Sequence, residues 1–130
     1  KLFKQQIEIY NIKNKRRRSV KLNSKYIQED KLLILKITEE IDHHTTQDIR
    51  RKADNEITRY MPRKVVFDFG NVTFMDSAGI GMLIGRYKIV KTFGGSLEMI
   101  NVKPSIRKVF EMSGVLKIVP IRKDINLNVS

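Results

Sequence analysis

Apolar residues recur at alternate positions in two segments near the start of the chain, residues 20–27 and 31–38. Alternation with a period of two is typical of a β-strand that buries one face. The polar turn at residues 28–30 is short enough to join the two segments directly, so the pattern predicts a β-hairpin. The second strand is nearly all apolar, which favours a central position in a sheet.

Farther along the chain, segments with the apolar period of an α-helix alternate with further strands. Strands are predicted at residues 64–69, 96–102 and 116–121. Helices are predicted within residues 39–61 and at residues 77–92 and 104–114. Thr45 and Asp48 have the spacing of a capping box at the start of the first helix, and Pro62 ends that helix. Pro120 has no N–H donor, which places the last strand at a sheet edge.

The predicted order of elements is ββαβαβαβ. Strands that alternate with single helices form parallel sheets through right-handed crossovers, and the first hairpin adds an antiparallel edge. We therefore expect an α/β fold with one domain over residues 20–130. Its sheet is expected to be mixed, mostly parallel and of about five strands, with the helices packed mainly on one face. A flexible basic arm is expected over residues 1–19.

Two apolar strips run along the helix predicted at residues 77–92. A helical wheel gathers the predicted core face on one arc: Ile80, Leu83, Ile84, Tyr87 and Val90. A second strip beside the helix glycines is predicted to be exposed: Ala78, Met82 and Ile89. Gly79, Gly81 and Gly85 each cost up to about 1 kcal/mol relative to alanine, so we expect something to approach this backbone closely.

Asp76 and Ser77 lie at the sharp turn into this helix, and Asp76 is predicted to be its N-cap. Open α/β sheets place their functional sites at this end of the strands. Ser77 has three interpretations: an ordinary first-turn serine, a catalytic nucleophile, or a phosphorylation site. A nucleophile is disfavoured because the only histidines available as a base are His43 and His44 and no Gly-x-Ser-x-Gly motif is present. A phosphate would add about −1.5 to −2 charges at a helix end that tolerates them.

The adjacent residues His43 and His44 are the other candidates for site chemistry. Adjacent side chains point to different sides of a helix, and neither cysteine nor a Glu-x-x-His pattern accompanies the pair. We therefore predict no metal and no cofactor, and interpret both histidines as polar loop residues near a partner surface.

The net charge of +12 is concentrated near the start of the chain. Residues 1–25 carry nine Lys or Arg and one acidic residue, which is +8; residues 26–130 carry 17 basic and 13 acidic residues, which is +4. Basic blocks such as Arg16–Arg18 are usually solvated, but some bind nucleic acid or anionic lipid. Nucleic-acid or anionic-surface binding through this arm is therefore the alternative function.

Cysteine is absent, and no apolar run approaches the roughly 20 residues of a membrane span. These features predict neither a disulfide framework nor a membrane segment, and favour the cytoplasm. The chain opens with Lys1 rather than methionine, so we expect it to be trimmed from a longer one.

Three segments together resemble the anti-sigma-factor antagonist branch of the STAS domain family, and within it the sporulation group that acts on sigma factor F. They are residues 41–50 with Asp-His-His-Thr, 65–88 with Asp-Ser-Ala-Gly, and 109–119 with Met-Ser-Gly. The resemblance covers about residues 20–121. It implies a non-enzymatic regulator that is phosphorylated on Ser77 by an anti-sigma factor with serine kinase activity. The unphosphorylated form would bind that anti-sigma factor and free the sigma factor, and a serine phosphatase would reset the switch.

The resemblance also assigns a set of partner-binding residues: Asp42, His43, Asp76, Ser77, Gly79, Ile80, Gly81 and Met82. Two departures from the family pattern stand out. Glu39 replaces the glycine that usually precedes Glu-x-Asp, which implies a change in partner choice. The C-terminal helix expected after the last strand is short or missing in residues 123–130.

Overall fold

The structure is a computed structural model that describes residues 22–123. Its elements are β1 (Leu22–Ile27), β2 (Leu32–Ile37), α1 (Thr46–Tyr60), β3 (Lys64–Asp68), α2 (Ser77–Thr92), β4 (Ser96–Ile100), α3 (Pro104–Ser113) and a 3-10 turn (Val115–Lys117). The predicted arm, residues 1–19, and the predicted short C-terminus after Lys123 lie outside the described residues.

The four strands form one mixed sheet in the order β1-β2-β3-β4. β1 pairs with β2 in antiparallel fashion through the predicted hairpin, whereas β2, β3 and β4 run parallel to one another. Crossovers through α1 and α2 make these parallel pairings possible. The α/β class, the mixed sheet and the central position of β2 are therefore confirmed.

The predicted fifth strand does not form. Gly114 adopts a left-handed conformation with φ of 77° and ends α3, and the chain then tightens into the 3-10 turn. Only Ile121 pairs with the sheet, as an isolated parallel bridge to Met99 of β4. Because Pro120 lacks an N–H and the preceding residues are already in the turn, too few backbone groups remain for a ladder. The described part of the sheet therefore has four strands rather than about five.

One face of the sheet carries the main hydrophobic core. Its fully or nearly fully buried side chains are Leu33, Leu35, Ile37, Val65, Phe67, Leu97 and Met99. The helices pack on the same core through Ile49, Ala53 and Ile57 of α1, Leu83 and Val90 of α2, and Ile106 and Phe110 of α3. Burial of a large apolar side chain contributes about 1.5–3 kcal/mol of transfer free energy, so this core holds all three helices to the sheet.

The start of α1 differs from the predicted capping box. Thr45 is at the N-cap position, but its side chain makes no capping hydrogen bond to the helix. Its hydroxyl instead donates to the Glu40 carbonyl at 2.8 Å and accepts from the Asp42 N–H at 3.0 Å. The Thr45 hydroxyl therefore makes its hydrogen bonds within the loop before the helix. For this reason the capping box predicted from the spacing of Thr45 and Asp48 does not form. The end of α1 is as predicted, since it stops at Tyr60, two residues before Pro62.

The boundaries of α2, Ser77–Thr92, are those predicted, but its buried face is not. The residues that α2 buries are Gly79, Met82, Leu83, Arg86 and Val90. Met82 is only 2% exposed, so the prediction that it lies on an exposed strip is wrong. Ile80, Ile84 and Tyr87, predicted to be core, are only partly buried.

The buried side of α2 also carries a charged residue, which pairs with α1. Arg86 is 5% exposed, and its Nε lies 2.7 Å from Oδ1 of Asp54 on α1. The distance between these two atoms is that of an ion pair, but the angle at the N–H group does not meet the geometry of a hydrogen bond. Burial raises the pKa of the Asp54 carboxyl, and the nearby Arg86 acts in the opposite direction. A buried arginine needs such a partner, and the pair lies on the side of α2 that faces inward.

Candidate functional site

The site is built around the first turn of α2, where Ser77 is the first helical residue. Asp76 is the N-cap, as predicted, and its Oδ1 accepts a hydrogen bond from the Ala78 N–H at 2.8 Å. This cap fixes the direction in which the helix starts. The Ser77 side chain is exposed, at the end of the helix that carries a partial positive charge. A phosphate could therefore be added without removing any buried contact.

A short backbone bridge ties this turn to the loop before α1. Ile41 pairs with Met75 in parallel. The Ile41 N–H donates to the Phe74 carbonyl at 3.0 Å, and the Asp76 N–H donates to the Ile41 carbonyl at 3.0 Å. The bridge brings together two of the sequence motifs, which are more than 30 residues apart along the chain. Asp42 and Asp76 each directly follow one of the two bridged residues.

Gly79 is required by this bridge. A Cβ atom at Gly79 would lie 2.5 Å from Cγ and Sδ of Met75 and 3.0 Å from Cγ2 of Ile41. The helix therefore starts so close to the bridge that even a methyl group would clash. At Gly81 and Gly85, by contrast, a Cβ atom would meet nothing within 4 Å. The close approach predicted from the glycines is thus intramolecular at Gly79.

Asp42 organises the loop that the bridge holds in place. Its Oδ1 accepts from the His44 N–H at 2.8 Å and from the Thr45 N–H at 3.0 Å. The hydrogen bond from Thr45 is the main cause that holds the pKa of the Asp42 carboxyl below its ordinary value. Asp42 is therefore ionised at neutral pH, and it adds a negative charge to the loop bridged to Asp76.

The two histidines lie in the turn before α1 rather than in a helix. Both are exposed, and their ring centroids are 3.8 Å apart with planes inclined by 40°. They do not point to opposite sides, because the turn places consecutive side chains together. Across residues 22–123, no cluster of three or more His, Cys, Asp or Glu side chains has the arrangement of a metal site.

An acidic groove of about 450 Å³ opens beside the loop before α1 and the segment that leads to α2. Its lining residues are Thr38, Glu39, Glu40, Asp42, Thr45, Asn71 and Thr73. Glu39, which replaces a glycine of the family pattern, is therefore part of this groove. Three carboxylates in one groove give this end of a strongly basic chain a local negative charge.

The predicted site residues fall into two groups. Asp42, His43, Asp76, Ser77, Ile80 and Gly81 retain exposed surface near the first turns of α2 or in the bridged loop. Gly79 and Met82 are buried beneath them and belong to the packing of α2. Their contact with a partner stays a prediction.

Sequence reasoning missed Phe74, whose side chain is 50% exposed. It lies two residues before Asp76, and its carbonyl accepts one of the two hydrogen bonds of the bridge. Large apolar side chains exposed beside a site often mark a surface that binds a partner. The only signal in the sequence was that apolar and polar residues do not alternate strictly over residues 72–75. Val72 and Met75 are buried there, while Phe74 between them is exposed.

The fold and this site define the class of protein. Residues 23–127 match the STAS domain, and the chain belongs to this family, as its motifs predicted. It is 38% identical over 90 residues to an anti-sigma F factor antagonist of Paenibacillus polymyxa, an alignment that covers 69% of this chain and 77% of that protein.

Two solved structures are similar to it as well. One is the anti-sigma factor antagonist SpoIIAA in its unphosphorylated form, with a TM-score of 0.67 and 25% identity over 79% of this chain and 89% of that one. The other is the Bacillus cell fate determinant SpoIIAA in the phosphorylated form, with a TM-score of 0.60 and 25% identity over 79% of this chain and 92% of that one. None of the helices described between Leu22 and Lys123 has both the length and the apolar character to cross a bilayer.

Proposed function

We propose that this protein is an anti-sigma factor antagonist and that phosphorylation of Ser77 switches its binding off. The observation that carries the proposal is the first turn of α2, where an exposed serine follows a capping aspartate at the bridge between two loops. The relatives support it, because an anti-sigma F factor antagonist and both phosphorylation forms of SpoIIAA are similar to this chain.

The partner in this proposal is an anti-sigma factor that is also a serine kinase. The unphosphorylated protein binds this partner and the sigma factor is released. Transfer of phosphate to Ser77 ends the binding, and a serine phosphatase restores it. The chain acts in the cytoplasm and catalyses no reaction of its own, since the phosphoryl transfer uses the catalytic residues of the kinase.

The binding surface is the exposed ring around Ser77. It comprises Asp42, His43, Phe74, Asp76, Ser77, Ile80 and Gly81, hereafter the switch surface. Phe74 supplies an apolar anchor of the kind that stabilises protein interfaces. Gly81 is exposed and leaves the helix backbone open to a partner.

Phosphate acts on this surface through charge. It adds about −1.5 to −2 charges to a surface that already carries the carboxylates of Asp42 and Asp76. A partner that accommodates the serine hydroxyl and these carboxylates must then accept a larger, more negative group, and poorly matched charges across an interface cost on the order of several kcal/mol. The fold itself responds little, since the helix dipole contributes roughly 0.3–1 kcal/mol in favour of an anion at this end.

The test is phosphorylation by the cognate kinase with ATP, followed by mass spectrometry. Phosphate is expected on Ser77 and is expected to disappear in Ser77→Ala. The matched control is Ser105→Ala, because Ser105 is also an exposed serine in the first turn of a helix. Equal labelling of Ser77→Ala and the parent chain would refute the proposed acceptor.

A further inference from the structure

The end of the domain opposite the switch surface is formed by the ends of two helices. α1 and α2 each connect a pair of parallel strands, so they run in the same direction and end at the same edge of the sheet. This is the edge at which β3 and β4 begin. α2 has 16 residues at about 1.5 Å each, so its last turn lies roughly 24 Å from Ser77.

The two helix ends share one pattern of residues. α1 has Arg59 in its last turn and Met61 at its C-cap. α2 has Lys91 in its last turn and Phe93 at its C-cap. Met61 is 58% exposed and Phe93 is 41% exposed, although Met61 has a left-handed φ of 45°, at which glycine or asparagine is usual. Each helix therefore ends with a cation followed two residues later by a large, exposed apolar side chain.

The loops after the two helices pack against each other. The Ser96 N–H donates to the Arg63 carbonyl at 2.9 Å. A Cβ atom at Gly95 would lie 2.9 Å from the Arg63 carbonyl oxygen and 3.1 Å from that of Pro62. The exposed side chains of both ends therefore form one patch. This patch, hereafter the basic pole, comprises Arg59, Met61, Arg63, Lys91 and Phe93.

The two ends of the domain differ in charge. Three carboxylates line the acidic groove beside the switch surface, whereas the basic pole carries three cations. The turn between β1 and β2 reaches the same end, because the Lys31 carbonyl accepts from the Arg63 N–H at 2.9 Å. That turn carries both signs, since Glu29 and Asp30 precede Lys31. A negatively charged surface is therefore attracted to the basic pole and repelled by the groove at the other end.

We propose that the basic pole docks on a lipid bilayer that contains anionic headgroups. Cations alone would suit any polyanion, but the exposed apolar side chains among them favour a lipid surface. The headgroups attract the cations, while Met61 and Phe93 enter the boundary between headgroups and acyl chains. Arginine and lysine keep their charged ends among the headgroups as this happens. The docked protein stays at the bilayer surface, and its switch surface faces away from the lipid.

Tryptophan fluorescence provides the test, because the chain contains no tryptophan. Phe93→Trp places a probe in the basic pole. Phe74→Trp places a matched probe on the switch surface, where Phe74 is 50% exposed. Each variant of the full chain is mixed with vesicles of phosphatidylglycerol and phosphatidylcholine. The emission of Phe93→Trp is expected to shift to shorter wavelength and to be quenched by brominated acyl chains. The emission of Phe74→Trp is expected to stay unchanged, as is that of both variants with phosphatidylcholine alone.

A second comparison tests the charges, with the Phe93→Trp emission as the readout. Arg63→Gln with Lys91→Gln is expected to weaken the affinity for anionic vesicles by about fivefold or more, because two cations of the pole are lost. Arg50→Gln with Lys108→Gln removes the same charge at exposed positions outside the pole and is expected to change the affinity by about twofold or less. Circular dichroism verifies that both variants are folded.

Three results would overturn the proposal. If anionic vesicles sediment the protein without changing the Phe93→Trp emission, cations elsewhere, such as Arg16–Arg18, carry the binding. If the emission shifts without vesicles as the protein concentration rises, the pole binds a second copy of the chain. If the Phe74→Trp and Phe93→Trp probes shift equally, the lipid contact is not specific to the basic pole.

Discussion

Helices α2 and α3 begin in similar ways. Ser77 is the first residue of α2 and Ser105 the second residue of α3, and both serines are exposed. Their surroundings differ. Asp76 caps α2 through its side chain, whereas Lys103 stands at the N-cap of α3 without a capping hydrogen bond and Pro104 follows it. A first-turn serine is therefore a common feature, and the carboxylates and the bridged loop beside it distinguish one helix start as a site.

The third positions of the two helices extend the comparison. Ile106 of α3 and Gly79 of α2 are both buried. α3 has room there for a large side chain, while α2 has room only for hydrogen because the Ile41–Met75 bridge lies against it. The switch surface therefore rests on a closely packed base.

The largest expected effect on stability comes from a comparison of one methionine of α2 with one methionine of α3. Met82 is 2% exposed and Met112 is 89% exposed. Met82→Ala is expected to lower the free energy of unfolding by about 2–5 kcal/mol, because it leaves a cavity in the core. Met112→Ala is expected to change it by about 0.5 kcal/mol or less. Urea denaturation measures both. If Met82→Ala left the stability unchanged and weakened partner binding, that result would support the prediction from the helical wheel that Met82 is exposed.

The next effect concerns the glycines of α2. Gly79→Ala is expected to destabilise the fold by about 1–3 kcal/mol, because the added methyl group overlaps Met75. Gly81→Ala is expected to stabilise it by roughly 0.5–1 kcal/mol, since the site is open and alanine favours the helix. Opposite signs in urea denaturation would support the close approach at Gly79. Stabilisation by both substitutions would contradict it.

The two serines provide a binding comparison. Ser77→Asp is expected to weaken binding to the cognate anti-sigma factor at least tenfold, which is about 1.4 kcal/mol. Ser105→Asp carries the same charge at the other helix start and is expected to bind within about twofold of the parent chain, as surface changes away from a binding site usually do. Titration calorimetry gives both affinities, and circular dichroism verifies that both variants are folded. Equal weakening by both substitutions would mean that general charge repulsion, rather than the switch surface, controls binding.

The smallest expected effect concerns the loop before α1, which the Ile41–Met75 bridge holds beside the start of α2. Asp42→Asn retains an acceptor oxygen but removes the charge that the backbone N–H groups stabilise. The pKa of Asp42 is lowered in the folded state, so its stabilising effect is present above the ordinary value of 3.8 and is lost as the pH falls below it. The variant should therefore melt slightly below the parent chain at neutral pH and at the same temperature in acid well below that value. A difference that persists at low pH would contradict this origin.

Most of the local structure could be predicted because its signals are local. The N-cap at Asp76, the glycine end of α3 at Gly114 and the hairpin between β1 and β2 each depend on a few neighbouring residues. The same holds for the motif around Ser77. The predicted last strand was wrong because Gly114 turns the chain into a 3-10 turn, and the apolar pattern of the residues after it does not show that turn.

The sequence by itself determined the order of the elements up to α3, the α/β class and the position of a capped, exposed serine at the start of α2. Only the tertiary structure decided which side of α2 faces inward. Apolar residues surround that helix, so their period does not single out one face. The orientation depends on Asp54 and Met75, which lie in other elements of the fold, because one pairs with the buried Arg86 and the other fills the space that Gly79 leaves.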